Sequence, residues 1–389
     1  MSQVRVLQFI TPAGFYGAER WILALANNVD YDQVVCDLAV SDEGGSQDLS
    51  VLDYFPSEAG KIHKLPMRGR FDWRVVRELC RIIGERRIDV IHTHGYKSDI
   101  LGVIAAKRMG IACVSTPHGF PNNMNFKLAT FVRMGTFALR YFDTVAPLSD
   151  ELVADMRRIH VPVKKTRFIR NGVDLKEIDQ AMADIKHVDR GSEWKQQTTF
   201  TIGFIGQMID RKGVPELLAV FDRLYEKYPH LRLVLVGDGD KRLELEAQAA
   251  NLASRDAINF LGFRIDRLEL LSQFDLFVMT SSLEGIPRCM MEAMSVGVPV
   301  VGYDIPGVDQ LIEHDVTGLL APLGDRDALA SCCERVINNP LSAKAWTSAA
   351  REKIDREYSA ARMAREYEAL FRELRDHRRL AAQPDRRPG

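Results

Sequence analysis

The chain has 389 residues, a formal net charge of -1, 46% hydrophobic residues and 27% charged residues. A chain of this length predicts two or three domains, since one domain usually takes about 100–200 residues. The balanced charge excludes a general electrostatic attraction to nucleic acid, and the apolar content excludes extended disorder. We therefore expect a globular protein without a nucleic-acid partner.

The cysteines and the N-terminal segment indicate the compartment. The six cysteines lack the paired spacing of zinc ligands or a redox motif, which suggests a reducing environment. The first residues lack a signal-peptide pattern, and no stretch reaches about 18 uncharged apolar residues. The sequence predicts a cytoplasmic protein without a transmembrane helix, and peripheral binding to the inner face of the membrane stays open.

Strand-like and helix-like patterns alternate along the first part of the chain. The predicted strands are Val4–Ile10, Val34–Val40, Asp89–His92, Ala112–Thr116, Thr144–Pro147 and Thr166–Ile169. The predicted helices include Ala18–Val29, Trp73–Arg86, Ser98–Met109 and Phe126–Phe142. This alternation indicates βαβ units around a parallel sheet. The polar stretch 176–198 interrupts the pattern and is interpreted as a linker.

A second series of the same kind follows. Its strands are Phe200–Ile205, Arg232–Val236, Ile258–Phe260, Leu276–Thr280 and Pro299–Val301, and its helices include Val214–Lys227 and Leu329–Asn338. The sequence thus predicts an α/β protein with two doubly wound, Rossmann-like domains, 1–175 and 199–355, that face a cleft. A C-terminal helix, 356–380, is expected to cross back to the first domain, and the tail 381–389 to be disordered. Ligands of such sheets bind beyond the carboxyl ends of the strands.

The segment 281–297, SSLEGIPRCMMEAMSVG, directly follows the predicted strand Leu276–Thr280. Pro287 suits the first turn of a helix because its missing N–H costs nothing there. Gly297 can end that helix. The sequence therefore predicts a helix whose N-terminus lies at the carboxyl end of a strand.

This helix start has the chemistry of an anion site. The turn Gly285, Ile286 and Pro287 leads into a helix whose free N–H groups and dipole can hold a diphosphate. Glu284 before the turn and Glu292 within the helix supply acceptor-only carboxylates for sugar and ribose hydroxyls. The alternative is a pair of glutamates without a ligand, but the surrounding pattern favours a site.

The spacing of Glu284 and Glu292, with the flanking Ser, Gly, Pro, Ala-Met and Gly-x-Pro residues, resembles the glutamate-seven-glutamate motif of the retaining family-4 glycosyltransferases. The resemblance extends from Val4 to about Tyr367 and implies the GT-B fold. It also implies transfer of a sugar from a nucleotide-diphosphate sugar to a hydroxyl acceptor. By this resemblance, Glu292 binds the donor ribose and Glu284 lies near the transferred sugar and its phosphate.

Further donor-side positions follow from the same resemblance. In 206–213, GQMIDRKG, Lys212 matches a family lysine, Gln207 replaces a family arginine, and Arg211 is a candidate to compensate. Cations near a helix start suggest a bound anion, although a solvated basic turn is the alternative. In relatives, the segment matching Phe263 and Arg264 contacts the nucleotide base. Gln310 stands where many relatives have glutamate, and no catalytic role is assigned to it.

The first domain carries a candidate loop and three histidines. The loop 11–20, TPAGFYGAER, resembles one that approaches the acceptor and the donor phosphate; it contains Gly14, Tyr16 and Gly17. Glycines there would permit close backbone approach, and Tyr16 is placed on the acceptor side.

The histidines follow two strands. A lone histidine is more often structural, but the place of His118 at the carboxyl end of a strand beside glycine favours the cleft. The resemblance implies that His118 contacts the transferred sugar. His94 is predicted to line the acceptor side, and His92 to be a packed, hydrogen-bonded residue. Asn171 belongs to an Asn-Gly-Val-Asp element that borders the cleft in relatives. No metal site is evident in the sequence, and no cofactor is expected.

A basic stretch raises the question of a membrane partner. Between Lys61 and Arg87 there are nine Lys or Arg residues and three acidic ones, and Arg74, Arg77 and Arg81 recur at helical spacing. One interpretation is a solvated surface. The other is contact with an anionic membrane or a phosphorylated lipid acceptor.

We expect a glycan or lipid-linked acceptor, in cell-surface polysaccharide, lipopolysaccharide or glycolipid synthesis. The alternatives are a non-catalytic nucleotide-sugar-binding protein and a sugar-nucleotide epimerase of the same architecture.

Overall fold

The computed structural model describes residues 3–12, 14–15, 17–45, 47–69, 72–119, 126–187 and 199–381. The strands are β1 (Val4–Ile10), β2 (Val34–Asp42), β3 (Ile62–Pro66), β4 (Val90–His94), β5 (Ala112–Ser115), β6 (Thr144–Val145), β7 (Phe200–Ile205), β8 (Leu231–Val236), β9 (Ile258–Gly262), β10 (Leu276–Met279), β11 (Val300–Asp304) and β12 (Leu319–Pro322). The helices are α1 (Gly17–Ala26), α2 (Trp73–Arg86), α3 (Tyr96–Met109), α4 (Phe126–Ala138), α5 (Asp150–Arg158), α6 (Leu175–His187), α7 (Val214–Lys227), α8 (Arg242–Ala249), α9 (Arg267–Leu271), α10 (Arg288–Val296), α11 (Arg326–Asn338), α12 (Pro340–Tyr358) and α13 (Ala360–Ala381).

The chain divides into two compact units. The first combines Met1–Asp174 with Ala360–Gly389, and the second is Leu175–Ser359. Each unit contains its own six-stranded parallel sheet. The sequences of the strands are nearly continuous apolar runs, because helices cover both faces of each sheet.

The first sheet has the strand order β3-β2-β1-β4-β5-β6. β1 pairs with β2 on one side and with β4 on the other, so the direction in which strands are added reverses at β1. In sheets of this kind ligands bind at such a switch point, beyond the carboxyl ends of the strands. The loops that follow β1, β4 and β5 therefore lie where a site is expected in this unit.

The final helix α13 completes the core of the first unit. Its Tyr367 and Phe371 are fully buried with Trp21 of α1 on one face of the sheet. The Glu368 carboxylate accepts a hydrogen bond from the backbone N–H of Asp30 at 2.7 Å. Because burial of aromatic side chains is a large favourable term, this helix is part of the unit that the first 174 residues begin.

The second sheet has the order β12-β11-β10-β7-β8-β9. Here the reversal occurs at β7, which pairs with β8 and with β10. The loops after β7 and β10 are thus neighbours at one edge of the sheet. These loops contain Lys212 and Glu284.

Several predicted elements differ from the observed ones. The strand predicted at Thr166–Ile169 is wrong, since only Thr166 forms an isolated bridge, to Val145. The edge strands β3 and β12 were not predicted, because edge strands are short and less uniformly apolar. The predicted linker is wrong at its start, where α6 has its buried Ile178; residues 188–198 lie outside the described part of the chain.

The end of the chain differs in a similar way. The helix predicted at 356–380 is divided, because α12 ends at Tyr358 and α13 begins at Ala360. Residues 382–389 of the predicted disordered tail lie outside the described residues. Among the helices that the structure describes, none combines the length and apolar character needed to cross a bilayer.

Candidate active site

Two loops of the second unit are joined through their backbones at the sheet edge. The Ser282 N–H donates to the Arg211 carbonyl at 2.8 Å, and the Thr280 hydroxyl donates to the Lys212 carbonyl at 3.1 Å. Gly213 has a φ of +63°, and a Cβ there would lie 2.1 Å from the Thr280 carbonyl oxygen. The two loops therefore hold each other in one geometry, and only glycine fits at position 213.

A buried ion pair connects the side chains of these loops. Lys212 Nζ lies 2.5 Å from Glu284 Oε1, and both side chains are less than a tenth exposed. Arg211 Nη1 lies 3.5 Å from Glu284 Oε2 and donates to the Leu283 carbonyl at 3.1 Å. Two cations thus share one carboxylate, which leaves a net positive charge at this point. Such a cluster favours a bound anion.

The segment after Glu284 forms the predicted helix. Pro287 caps α10 rather than occupying its first turn: its carbonyl accepts from the N–H groups of Met290 and Met291, each at 3.2 Å. Gly297 ends the helix in the left-handed conformation, with φ +89°. The N-terminus of α10 and its dipole therefore lie a few residues from Glu284, as an anion site requires.

Glu292 lies one helical turn inside α10 and is held by two guanidinium groups. Its Oε1 accepts from Arg288 Nε at 3.0 Å and from Arg267 Nε at 3.1 Å. Arg267 Nη2 also donates to Glu177 at 3.0 Å. Burial alone would lower the pKa of Arg267, but the carboxylates of Glu292 and Glu177 raise it above its usual value. Glu292 is consequently a fixed, oriented acceptor.

The sequence interpretation missed both arginines. Arg288 precedes Glu292 by four residues on one helix, a spacing at which side chains meet, so a signal was present. Arg267 comes from α9, and its contact with α10 depends on the tertiary fold.

The turn at Gly285 is packed against a neighbouring loop. Gly307, after β11, has a φ of +90°, and a Cβ there would lie 1.5 Å from the Gly285 carbonyl oxygen. Nearby, the side-chain oxygen of Gln310 is buried without a hydrogen-bond partner among the described residues. The Gln310 carbonyl accepts from the Tyr358 hydroxyl at 3.1 Å.

The remaining donor-side candidates lie in the loops after β7 and β10 and after the more distant strand β9. Gln207 is exposed after β7. Phe263, which is 57% exposed, and Arg264 follow β9, and β7 and β8 separate that strand from β10. Arg264 Nε donates to Asp266 at 2.8 Å. Ile286 is half-buried between Gly285 and the helix cap.

In the first unit, the structure brings His94 and His118 together. His94 Nδ1 lies 3.2 Å from His118 Nε2, and His94 Nε2 lies 2.7 Å from Gln8 Oε1. His94 is 3% exposed, and both of its ring nitrogens have protein partners. The ring of His94, which is expected on the acceptor side, links Gln8 to His118 in the structure. Burial lowers the pKa of His118 to about 3, so this ring is neutral at physiological pH.

His92 belongs to a separate branch of the same aromatic cluster. Its Nε2 lies 2.7 Å from the Thr116 hydroxyl, which lies 2.8 Å from the Tyr367 hydroxyl. The rings of Trp21, His92, His94, His118 and Tyr367 have neighbouring centroids 4.3–5.6 Å apart. The prediction of a packed, hydrogen-bonded His92 is confirmed.

The other first-unit candidates are placed as follows. Gly17 opens α1, and a Cβ there would meet no protein atom within 4 Å. Gly14 is buried in the preceding loop, and Tyr16 lies outside the described residues. The Asn171 side-chain oxygen accepts from the Gly172 N–H at 2.8 Å. Among the described residues, no group of three or more His, Cys, Asp or Glu side chains could hold a metal ion.

Two family models match consecutive parts of the chain. The one described as Glycosyltransferase Family 4 matches residues 15–177, and the one described as Glycosyl transferases group 1 matches residues 186–353. The chain belongs to the group 1 glycosyltransferases and is a transferase enzyme. The identification as a transferase replaces two alternatives, a non-catalytic nucleotide-sugar-binding protein and a sugar-nucleotide epimerase.

Individual relatives agree with the family. The chain is 27% identical to a galactosyltransferase from Escherichia coli, UDP-Gal:alpha-D-GlcNAc-diphosphoundecaprenol alpha-1,3-galactosyltransferase, over 69% of this chain and 72% of the relative. It is 23% identical to the N-acetyl-alpha-D-glucosaminyl L-malate synthase from Bacillus anthracis, over 79% and 80%.

Solved structures identify the fold. The Anabaena protein HepE in complex with UDP superposes with a TM-score of 0.79 at 20% identity, over 95% of this chain and 100% of that one. A glycosyltransferase from Rickettsia africae gives a TM-score of 0.76 at 17% identity, over 96% and 99%. The predicted GT-B fold with two Rossmann-like domains is confirmed.

The contact between Gly307 and Gly285 can be tested by adding a methyl group. Gly307→Ala is expected to destabilise the second unit by about 3 kcal/mol, from left-handed strain and a backbone collision together. Gly324→Ala is the matched control: its φ is +80°, and a Cβ there meets nothing within 4 Å. That variant should lose only about 1 kcal/mol. Urea denaturation measures the free energy of unfolding of both variants. Equal losses of stability would contradict the close approach of Gly307 to the Gly285 carbonyl.

Proposed function

We propose that this glycosyltransferase moves a sugar, with retention at the anomeric carbon, from a nucleoside-diphosphate sugar to a hydroxyl of a glycan or lipid-linked acceptor. The observation that carries the proposal is the Lys212–Glu284 ion pair beside the N-terminus of α10. The name of the Escherichia coli relative, which specifies a UDP-galactose donor and a diphosphate-linked lipid acceptor, supports this choice of substrates.

The donor diphosphate is assigned to the cations and the helix start. Lys212 and Arg211 carry two positive charges against the single charge of Glu284. The N-terminal N–H groups of α10 add a partial positive charge close by. When the bond to the sugar breaks, negative charge develops on the leaving phosphate. Fixed cations and dipoles that are already oriented stabilise that charge without further rearrangement.

The two glutamates are assigned to positioning. Glu292 is oriented by Arg267 and Arg288 and accepts from the donor ribose hydroxyls. Glu284 positions Lys212 and the transferred sugar. A retaining glycosidase instead uses one carboxylate as a nucleophile and another as acid and base. Since both glutamates here are bound to cations, we assign them neither role.

The remaining steps follow from this assignment. The acceptor hydroxyl attacks on the face from which the nucleoside diphosphate leaves, and the leaving phosphate takes the hydroxyl proton. The reaction then depends mainly on positioning and electrostatic stabilisation. Neither a dedicated base nor a metal ion is part of this proposal.

We place the product in cell-surface polysaccharide, lipopolysaccharide or glycolipid synthesis. A relative named for amylovoran biosynthesis in Erwinia amylovora, 27% identical over 51% of this chain, supports this setting.

Donor binding tests the site directly. Calorimetric titration with UDP-, GDP- and ADP-sugars should select one donor, and Glu292→Gln should weaken its binding about 10–100-fold, the loss expected for a hydrogen bond to a charged group. Glu244→Gln, in the same unit and 71% exposed beside Lys241, is the matched control. An unchanged dissociation constant for a folded Glu292→Gln protein would disprove the assignment.

We further propose that the first unit binds an anionic membrane surface through α2, α3 and α4. Large apolar side chains are exposed on these helices and their ends: Trp73, Met109, Met134, Phe137 and Tyr141. Two grooves flank α3, of about 600 Å³ on the α2 side and about 470 Å³ on the α4 side. We call this surface the α2–α4 face.

Its charge suits an anionic bilayer. Arg77 and Arg108 line the first groove, and Arg133 lines the second. Arg74 also lines the first groove, but it is paired with Asp72 at 2.7 Å, so its charge is compensated. Arg81, predicted on the same face, is likewise paired with Glu78 and Glu85 at 2.9 and 2.6 Å, so its charge is compensated. Aromatic and long apolar side chains beside arginines are typical of surfaces that enter the headgroup region.

Vesicle cosedimentation tests this surface. The protein should bind phosphatidylglycerol vesicles more strongly than phosphatidylcholine vesicles at low salt. The double variant Arg77→Ala, Arg108→Ala should bind about thirtyfold more weakly, since each cation contributes about 1 kcal/mol. The double variant Arg255→Ala, Lys344→Ala removes the same charge from the second unit and should bind like the original protein. Equal binding by both variants would contradict the α2–α4 face.

A further inference from the structure

We propose that Gln8 is a positioning residue for the sugar-transfer reaction: acting through His94, it holds His118 as the tautomer that carries its proton on Nε2. The inference rests on the proposed function and on the contact between His118 and the transferred sugar that the family resemblance implies. Its basis is the hydrogen-bond chain from Gln8 to His94 to His118, which lies at the switch point of the first sheet.

The orientation of the Gln8 amide is the first step. Gln8 is fully buried in β1, and its Nε2 donates to Cys36 Sγ of the neighbouring strand β2 at 3.4 Å. Its Oε1 is thereby directed to His94 Nε2, 2.7 Å away. An amide oxygen only accepts hydrogen bonds, so His94 carries its proton on Nε2.

In the second step, the tautomer of His94 determines the tautomer of His118. A neutral imidazole has one N–H, so His94 Nδ1 is an acceptor. It lies 3.2 Å from His118 Nε2, which therefore donates. Burial lowers the pKa of both histidines, which keeps each ring in its neutral form. His118 Nδ1 is left as a lone pair and makes no hydrogen bond to any residue that the structure describes.

The consequence is a choice of ligand chemistry. His118 is half-buried, whereas His94 and Gln8 are buried, so Nδ1 of His118 is the end of the chain that a ligand can reach. A lone pair accepts from a hydroxyl of the transferred sugar and rejects a group that only accepts, such as a phosphate oxygen. If Gln8 lacked its acceptor oxygen, either tautomer of His94 would be allowed, and His118 would lose this preference.

The other histidine branch provides an internal control. His92 is connected to Thr116 and Tyr367, and no hydrogen bond links this branch to Gln8 or His118 among the described residues. Tyr367→Phe removes one hydroxyl from the same cluster, at a similar depth of burial. It should leave the tautomer of His118 unchanged.

Nitrogen-15 NMR of histidine-labelled protein reads the tautomer without any ligand. In the unmodified protein, with His118 assigned by loss of its signals in His118→Ala, Nε2 of His118 should carry the proton and Nδ1 should not. Gln8→Met, which keeps the length and removes the acceptor, should give a mixture of tautomers, whereas Tyr367→Phe should not. A proton on Nδ1 in the unmodified protein overturns the proposal even if Gln8→Met fails to fold. An unaltered tautomer in folded Gln8→Met overturns it as well.

Turnover of the donor selected by calorimetry links the tautomer to the reaction. Gln8→Met should lower kcat about tenfold, the effect of about 1.4 kcal/mol for a lost positioning bond. In the His118→Ala background the same change should have no further effect, because Gln8 acts through that ring. An equal loss in both backgrounds would indicate a structural role only and overturn the proposal. If His118→Ala itself keeps full activity, the proposed role of His118 fails, a result distinct from failure of the tautomer measurement.

Discussion

The second unit is organised around one constraint: the charges of Lys212 and Glu284 are both withdrawn from water, so each must stay beside the other. The pair ties the loop after β7 to the loop after β10, and the contacts of Arg211, Thr280 and Ser282 join the two backbones around it. The same constraint places a cationic loop next to the N-terminus of α10. A fixed positive region at the switch point of the sheet is the result.

The two units use their switch points in different ways. In the second unit the groups there are charged and paired, which suits a diphosphate. In the first unit they are neutral and aromatic, because two buried histidines and the half-buried His118 pack around Trp21, and one of them, His92, also packs on Tyr367. A buried imidazole without an anionic partner remains uncharged. The first unit can therefore form directed hydrogen bonds at its switch point but has no strong electrostatic potential there.

Much of the architecture follows from the sequence, because apolar periodicity and turn residues determine it locally. The bounds of α2 and α7 were predicted as observed, since both are strongly amphipathic and end at clear signals. The strand, turn and helix around Glu284 and Glu292 could also be predicted, because the strand, the turn, the proline and the final glycine follow one another without interruption.

What sequence reasoning missed depends on contacts between distant residues. Arg267 contacts Glu292 from another helix, and Gln8 is one of two polar residues in the otherwise apolar strand VRVLQFI. The sequence of helix α6 resembles a linker because its many charged residues obscure the apolar positions that pack on α9 and α10. The contacts of His94 could not be predicted for a related reason: a histidine at the end of a strand carries no local sign of whether its nitrogens face solvent or protein.

Glu284 and Glu292 are assigned to holding and orienting a donor whose sugar is transferred with retention, and not to acting as the acid and base pair of an inverting reaction. The anomeric configuration of the first-formed product tests this most directly, measured by proton NMR with an α-configured donor and before any equilibration. We expect an α-linked product, with the configuration of the donor retained. A β-linked product would show attack from the opposite face and would contradict this assignment.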